Sequence, residues 1–240
     1  NRFVDSMPFV PSDNEKRAQR CKEIFAIQAS GLAKRIEHVG SNGVVVGISG
    51  GLDSTLALLV SVSAMKLLGK NNSDILGVTM PGFGTTDRTY QNAIDLMKSL
   101  GVTIKEISIK DACVLHMKDI EHDSLVKDIT YENTQARERT QILFDLANKH
   151  GKLLVGTGDL SELAMGWCTY NGDHMSMYGV NASVPKTLVK YLVEYVANVS
   201  DKKTADILFD VLDTPVSPEL LPPDENGNIA QKTEIGRAHV

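Results

Sequence analysis

The chain has 240 residues, of which 42% are hydrophobic and 23% charged. This is ordinary globular composition, and the length suits one large domain whose core needs no disulfide or metal staples. The formal net charge of -5 and the 5% aromatic content argue against a global basic field and a base-stacking platform, so we expect no nucleic-acid partner. No apolar run approaches the roughly 20 residues of a membrane helix. The N-terminus lacks a signal-peptide core, so we expect a cytoplasmic protein with no membrane partner.

The three cysteines are Cys21, Cys113 and Cys168, and they lie far apart in the sequence. Their number is odd and no Cys-x-x-Cys pair occurs, so the sequence indicates neither a disulfide framework nor a zinc site. A reducing compartment is the natural interpretation.

The two ends of the chain differ from the rest. Residue 1 is Asn rather than an initiator Met, and residues 1–14 are rich in turn formers. We therefore expect the chain to begin inside a longer protein, with 1–14 as the remnant of an interdomain linker. Residues 15–232 are expected to form one domain that is truncated at its C-terminal end. The last seven residues match one reading frame of a common DNA-sequencing adapter, so 233–240 are interpreted as a non-native tail.

Apolar runs alternate with helical patterns along the chain. A helix is expected to begin after Ser12 or Asp13, either of which would cap it, and to run to about His38. Short β-branched apolar runs predict four strands, at residues 44–48, 75–80, 102–109 and 153–156. Helical patterns occupy residues 53–68, 88–100, 132–149, 185–198 and 201–211.

This alternation is typical of an α/β fold with an open parallel sheet and helices on both faces. The strand runs are continuously apolar, as expected of strands covered on both sides. A Pro-rich stretch at residues 213–223 ends the pattern.

The strongest local signal follows the first predicted strand. Residues 45–55 read Val-Val-Gly-Ile-Ser-Gly-Gly-Leu-Asp-Ser-Thr. Two glycines let a backbone approach a phosphate closely, and the free N–H groups of the following helix favour an anion. Asp53 would repel phosphate unless a cation lay between them, which suggests a Mg²⁺ ligand. The alternative is a tight strand–helix turn in which Asp53 or Ser54 serves only as a cap.

This string is neither a Gly-Lys-Ser/Thr phosphate loop nor Gly-x-Gly-x-x-Gly. It resembles the pyrophosphate loop of the ATP-pyrophosphatase group, whose members cleave ATP between the α and β phosphates and adenylate a substrate oxygen.

A second polar cluster follows the last predicted strand, at residues 156–173. Asp159 three residues before Glu162 is an acidic variant of a capping box, which would explain both carboxylates structurally. The same segment holds Trp167, the single Trp of the chain, within a Gly-rich loop where burial is difficult. The cluster therefore has a structural and a functional interpretation.

Over nearly its whole length the chain resembles glutamine-dependent NAD synthetases. Motifs that carry the resemblance include Ser-Gly-Gly-Leu-Asp-Ser at 49–54, Glu-Asn-Thr-Gln-Ala-Arg at 132–137 and Val-Asn-Ala-Ser-Val-Pro-Lys-Thr at 180–187. The remaining matches lie at residues 9–13, 25–28, 81–83, 156–170 and 213–220. In this family a nitrilase-like glutaminase precedes the synthetase domain and supplies it with ammonia.

The resemblance implies a set of site residues and an adenine nucleotide alpha-hydrolase-like, Rossmann-like sandwich. It implies Mg²⁺ ligands at Asp53 and Glu162, and a catalytic role for these two and Lys186. The ATP-binding residues it implies are Gly47, Ile48, Ser49, Gly50, Gly51, Leu52, Asp53, Ser54, Thr157, Lys186 and Ser217. The deamido-NAD contacts it implies are Asn133, Arg137, Glu162, Trp167, Cys168, Thr169, Tyr170 and Asp173.

Two positions depart from the small ammonia-dependent synthetases, which have Lys where this chain has Tyr170 and Asp where it has Met177. Roles carried over from the small enzymes are therefore in doubt there. The two-domain branch also has a C-terminal helical extension with a substrate-binding Lys, and the chain ends before it.

Helix geometry bears on the implied cations. Arg137 and Arg139 are two residues apart and cannot share a helix face, so we expect Arg137 to point at ligand and Arg139 at solvent or a carboxylate. Lys186 lies in a first helical turn, where a cation opposes the helix dipole and needs a nearby anion, for which we favour a polyphosphate.

The expected function is ATP-dependent amidation of deamido-NAD to NAD, with release of AMP and pyrophosphate. The expected partners are deamido-NAD, ammonia from a glutaminase domain and a second copy of the chain, and the expected cofactors are ATP and Mg²⁺. Three alternatives stay open: another amidating or thiolating enzyme of the ATP-pyrophosphatase group such as a GMP synthetase, a catalytically incomplete ATP-binding fragment, and a purely structural α/β domain.

Overall fold

The computed structural model describes residues 7–214 and shows an open five-stranded sheet among helices. The strands are β1 Val44–Gly47, β2 Ile75–Thr79, β3 Thr103–Glu106, β4 Leu153–Gly156 and β5 Tyr178–Gly179. The α-helices are α1 Asn14–Val39, α2 Leu52–Leu67, α3 Asp87–Ser99, α4 Lys110–Asp119, α5 Ile129–His150, α6 Leu160–Met165, α7 Lys186–Val199 and α8 Lys202–Asp213, and a 3-10 turn spans Asn72–Asp74.

The strand order is β3-β2-β1-β4-β5, and every neighbouring pair is parallel. In the centre of the sheet, Val45 of β1 is in register with Leu76 of β2 on one side and Leu154 of β4 on the other. The chain leaves β1 toward β2 and β3, then returns to add β4 and β5 on the opposite side. This reversal makes the gap between β1 and β4 a topological switch point, where open α/β sheets bind ligands.

Two apolar cores lie on the two faces of the sheet, because successive strand residues point to opposite faces. Val44 and Val46 pack into the larger core, with residues of α1, α2, α3, α7 and α8. Val45 points into the smaller core, which is closed by α4 and α5. The predicted parallel sheet with helices on both faces is therefore confirmed.

The predicted elements agree with the structure within a few residues, with one clear difference in burial. β3 was predicted as a strand covered on both sides, but its residues are half-buried or exposed because it forms the edge of the sheet. The sequence pattern predicted neither α4 nor the short strand β5. The helix predicted at 132–149 starts earlier, at Ile129, because Asp128 accepts hydrogen bonds from two N–H groups of its first turn.

The first predicted helix cap is confirmed at Asp13, whose side chain accepts a hydrogen bond from Lys16 N at 2.8 Å. Residues 1–6, the predicted site residue Ser217, nearly all of the Pro-rich stretch and the predicted non-native tail lie outside the described residues. The proposed domain boundaries at 14 and 232 stay predictions.

Candidate active site

The loop of residues 47–54 joins β1 to α2 at the carboxyl edge of the sheet. Gly50 has φ +91, and a Cβ atom built there would collide with the main-chain oxygen of Thr89. Only glycine fits both the backbone angle and the space. Gly51 is the N-cap of α2 and supplies no side-chain cap. The first N–H groups of α2 therefore lack a side-chain acceptor from their cap, which leaves them suited to an anion.

Two hydroxyls hold this loop in shape. Ser54 Oγ lies 3.1 Å from Ser49 Oγ, accepts a hydrogen bond from Ser49 N at 3.3 Å and donates one to Gly51 O at 3.1 Å. Ser49 Oγ accepts one from Gly51 N at 3.2 Å. The hydroxyls that were predicted to contact phosphate thus also fix the turn that would receive it.

Four charged side chains meet beside this loop, and we call Asp53, Asp159, Glu162 and Lys186 the carboxylate–lysine cluster. The ammonium nitrogen of Lys186 lies 2.6 Å from Asp53 Oδ2, 2.8 Å from Asp159 Oδ2 and 3.0 Å from Glu162 Oε1. One oxygen from each carboxylate lies within 4.8 Å of the other two. The predicted catalytic trio is therefore together, with a fourth member that was predicted only as a cap.

The capping box predicted between Asp159 and Glu162 is present at the start of α6. Asp159 Oδ1 accepts from Glu162 N at 3.0 Å, and Glu162 Oε2 accepts from Asp159 N at 3.1 Å. Asp159 is fully buried. The structural and functional interpretations of these carboxylates are compatible, because each uses one oxygen for the box and the other for Lys186.

Burial and mutual attraction set the ionisation of the cluster. Burial raises the pKa of Asp53, Lys186 opposes this, and Glu162 adds to it, with a net rise. Burial alone would lower the pKa of Lys186, but Asp53, Glu162 and Asp159 outweigh it and raise the pKa above its ordinary range. Lys186 thus stays an ammonium. Its placement in the first turn of α7 is as predicted, and three carboxylates supply negative charge beside it. The polyphosphate partner stays a prediction.

Asn181, which sequence reasoning gave no role, ties the two halves of the site together. Its buried side-chain amide donates to Asp53 O and Thr157 O, at 3.0 Å each. Its side-chain oxygen accepts from Gln28 Nε2 of α1 at 3.1 Å. The segments that follow β1 and β4 are therefore held by one side chain. The available signal was the polar character of Asn181 within the 180–187 motif that also contains the predicted Lys186.

The predicted deamido-NAD residues also come together, between α5 and the loop of residues 167–173. Thr169 Oγ1 donates to Asn133 Oδ1 at 2.8 Å, and Arg137 Nε donates to Tyr170 O at 3.1 Å. Thr169 N donates to Asp173 Oδ1 at 2.7 Å. These contacts fix the loop against the α5 face that carries Asn133 and Arg137.

A cavity of about 230 Å³ opens between this loop and the cluster. The predicted residues that line it are Glu162, Trp167, Cys168 and Asp173. Burial raises the pKa of Asp173 despite the hydrogen bond from Thr169 N. Glu162 is the residue shared by the cavity and the cluster, so a ligand in the cavity would reach the charged centre.

The aromatic rings of the loop face outward. Trp167 is 53% exposed and Tyr170 is 75% exposed. The Tyr170 ring stacks on His174 with centroids 6.2 Å apart, so His174 joins the site although the sequence gave it no role. Arg139, in contrast to exposed Arg137, is half-buried and reaches the backbone near Gly82.

The fold and the site define a class: an open parallel α/β domain with a glycine loop and a charged cluster at the switch point between its central strands. Comparison with known proteins places the chain within this class. The NAD synthase family model matches residues 24–220, and the chain belongs to this family.

Individual relatives agree with this membership. The chain is 48% identical over 240 residues to the glutamine-dependent NAD(+) synthetase of Mycobacterium leprae, covering 97% of this chain, and 46% identical over 242 residues to that of Mycobacterium tuberculosis. The glutamine-dependent NAD+ synthetase of Acinetobacter baumannii, solved in complex with adenosine diphosphate, superposes with a TM-score of 0.72 at 29% identity, covering 85% of this chain and 37% of that one.

The chain spans about a third of the length of its curated relatives, at 35% for the Mycobacterium leprae protein. No helix among residues 7–214 is both long and apolar enough to cross a membrane.

Proposed function

We propose that the chain carries out the synthetase reaction of a glutamine-dependent NAD synthetase, the ATP-dependent amidation of deamido-NAD to NAD. The observation that carries the proposal is the position of Lys186, whose ammonium contacts three carboxylates beside the 47–54 loop. Enzymes that transfer phosphoryl or nucleotidyl groups work mainly by positioning the reactants and neutralising charge. A lysine and metal-binding carboxylates beside a loop that can bind phosphate supply both.

The ATP phosphates would lie against the 47–54 loop, where the backbone N–H groups at the start of α2 favour anions. Ser49 and Ser54 add hydroxyl donors at the same place. Lys186 would contribute a fixed positive charge toward the phosphates. Thr157 follows β4 across the switch point, and its carbonyl is fixed by Asn181. We assign these residues to ATP, together with Ser217.

The residues present fit a Mg²⁺ ion. Within residues 7–214, Asp53 Oδ1 is buried and has no hydrogen-bond partner, which is costly unless a cation compensates it. Three carboxylates also face a single ammonium, so the ionised cluster has a net negative charge that a cation would balance. Asp53 and Glu162 would hold the ion through oxygens, the ligands Mg²⁺ prefers. The bound ion would neutralise phosphate charge.

One end of deamido-NAD would enter the cavity beside Glu162 and the 167–173 loop, with the rest of the molecule lying outside it. The exposed planes of Trp167 and Tyr170 can stack on a planar ring. The guanidinium of Arg137 lies at the edge of this loop and suits a phosphate. Cys168 and Asp173 line the cavity, and the contact between Thr169 and Asn133 holds the loop beside it.

In the proposed reaction, a carboxylate oxygen of the nicotinic acid group attacks the α phosphorus of ATP. The bond from the α phosphorus to the bridging oxygen breaks, and pyrophosphate leaves with that electron pair, held by the 47–54 loop. Ammonia then attacks the acyl carbon, the acyl–phosphate bond breaks, and AMP leaves with loss of one ammonia proton. Lys186 and the loop stabilise the departing negative charge.

The relatives support a proposal for the ammonia source. Because the matched relatives are glutamine-dependent and about three times as long as this chain, we propose that a glutaminase region of the whole protein supplies ammonia. We also propose a cytoplasmic homo-oligomer.

Substrate competition tests the proposal against a GMP synthetase, the nearest rival. Pyrophosphate release from ATP, Mg²⁺ and ammonium is measured with deamido-NAD or with XMP as acceptor. We expect release with deamido-NAD alone. Pyrophosphate release with XMP and none with deamido-NAD would identify XMP as the acceptor and contradict the proposed function.

A further inference from the structure

Asp159 differs from the other two carboxylates of the cluster in its exposure to solvent. Its side chain is 0% exposed, whereas those of Asp53 and Glu162 are 26% and 25% exposed. A cation or phosphate arriving from solvent can reach Asp53 and Glu162 directly. Asp159 has no such exposed surface, and its Oδ2 faces the position that the Lys186 ammonium already occupies.

Asp159 also makes contacts with both of its oxygens. Oδ1 accepts from Glu162 N at 3.0 Å and so fixes the turn that carries Glu162. Oδ2 lies 2.8 Å from the Lys186 ammonium. An N-cap needs only the first contact, so the cap does not account for the position of Oδ2.

We propose that Asp159 is a positioning residue that anchors the Lys186 ammonium beside the 47–54 loop while a metal ion occupies Asp53 and Glu162. This inference rests on the proposed function. The three carboxylates share one ammonium before ligands enter. When a divalent cation competes for the two partly exposed carboxylates, the buried one keeps Lys186 in place for the phosphates.

Asp159→Asn separates the two roles of this side chain, because Asn caps helices as well as Asp but carries no charge. A matched control is Asp201→Asn at the N-cap of α8, where the side chain accepts from Thr204 N at 3.1 Å, on a surface remote from the cluster. Asp201→Asn should keep the melting temperature within a few degrees of the wild type because its cap is retained. Asp159→Asn should stay folded at a lower melting temperature, because the cap is retained but the buried contact with Lys186 is lost.

ATP affinity is then measured by calorimetry at saturating Mg²⁺ without deamido-NAD, so that no turnover occurs. Asp159→Asn should weaken ATP binding about tenfold, on the order of one lost close contact between opposite charges. Asp201→Asn should leave it unchanged. In a Lys186→Gln background, Asp159→Asn should cause no further loss beyond about twofold, because the anchored group is gone.

The sign of the effect distinguishes the anchor from other roles. Removing a negative charge near phosphates should tighten ATP binding if Asp159 acts only through its own field. Unchanged or tighter ATP binding in Asp159→Asn overturns the proposal. So does a loss of ATP affinity of the same size when Asp159→Asn is made in the Lys186→Gln background.

A wild-type chain that binds no ATP would count against the proposed function. Mn²⁺ affinity of the nucleotide-free chain then decides the role of Asp159. We expect about a tenfold loss in Asp159→Asn that is absent when the same change is made in the Lys186→Gln background, because the loss arises from Lys186 staying on Asp53 and Glu162. Equal Mn²⁺ affinity in the two proteins overturns the anchor.

Discussion

The ammonium of Lys186 lies 2.6 Å from Oδ2 of Asp53, although 133 positions separate the two residues in the chain. Asp53 belongs to the first turn of α2 and Lys186 to the first turn of α7. Two helix N-termini therefore point at one place beside the switch point. The contact defines the centre on which the proposed chemistry depends.

Asp53→Ala should abolish pyrophosphate release while leaving the fold intact. The substitution removes the proposed metal ligand and one of three partners of Lys186, and we expect a loss of at least about a hundredfold. Steady-state pyrophosphate release with deamido-NAD and ammonium measures this, with a thermal melt as the control for folding. Full activity in this variant would refute the metal role.

Gly50→Ala should destabilise the chain and impair ATP binding. Its φ of +91 and the collision of a Cβ with Thr89 O force the loop to move, at a cost of about 1–3 kcal/mol. Gly69→Ala is the matched control, because Gly69 also has a positive φ, +64, but a Cβ there meets nothing within 4 Å. Urea unfolding and ATP calorimetry on both variants test this, and equal ATP affinity in the two would contradict it.

Asn181→Asp should lower both stability and ATP affinity. The change replaces an amide that donates to Asp53 O and Thr157 O with a carboxylate facing those two carbonyls. We expect a loss of about 2–3 kcal/mol in the free energy of unfolding. Asn72→Asp is the control, since the Asn72 amide donates to Leu100 O at 2.8 Å far from the site. Asn72→Asp should lose stability and keep its ATP affinity. A loss of stability with unchanged ATP affinity in Asn181→Asp as well would show that Asn181 does not position the site.

Arg137→Gln should raise the KM for deamido-NAD about tenfold or more and leave the ATP affinity unchanged, since a charge-assisted contact to the substrate is lost. Exposed Arg137 reaches the 167–173 loop, whereas the ATP loop lies across the cluster. Arg35→Gln, on the exposed surface of α1, serves as the control. An unchanged KM for deamido-NAD would remove Arg137 from the substrate site.

The sequence was sufficient for features whose causes are local. The glycine turn after β1, the cap at Asp13 and the box between Asp159 and Glu162 each depend on residues within a few positions of one another. Hydrophobic runs likewise predicted the central strands.

Features whose partners are distant in sequence could not be predicted. The link from Asn181 to Asp53 and the contact of Asp159 with Lys186 exist only after α2, α6 and α7 pack together. The exposure of β3 depends on its place at the sheet edge, which its own apolar run does not reveal.

The decisive experiment on the proposed amidation incubates the chain with deamido-NAD, ATP, Mg²⁺ and a high concentration of ammonium and identifies every product. We expect NAD, AMP and pyrophosphate in equal amounts, all dependent on deamido-NAD. Formation of ADP and phosphate, or ATP cleavage that does not respond to deamido-NAD, would contradict it.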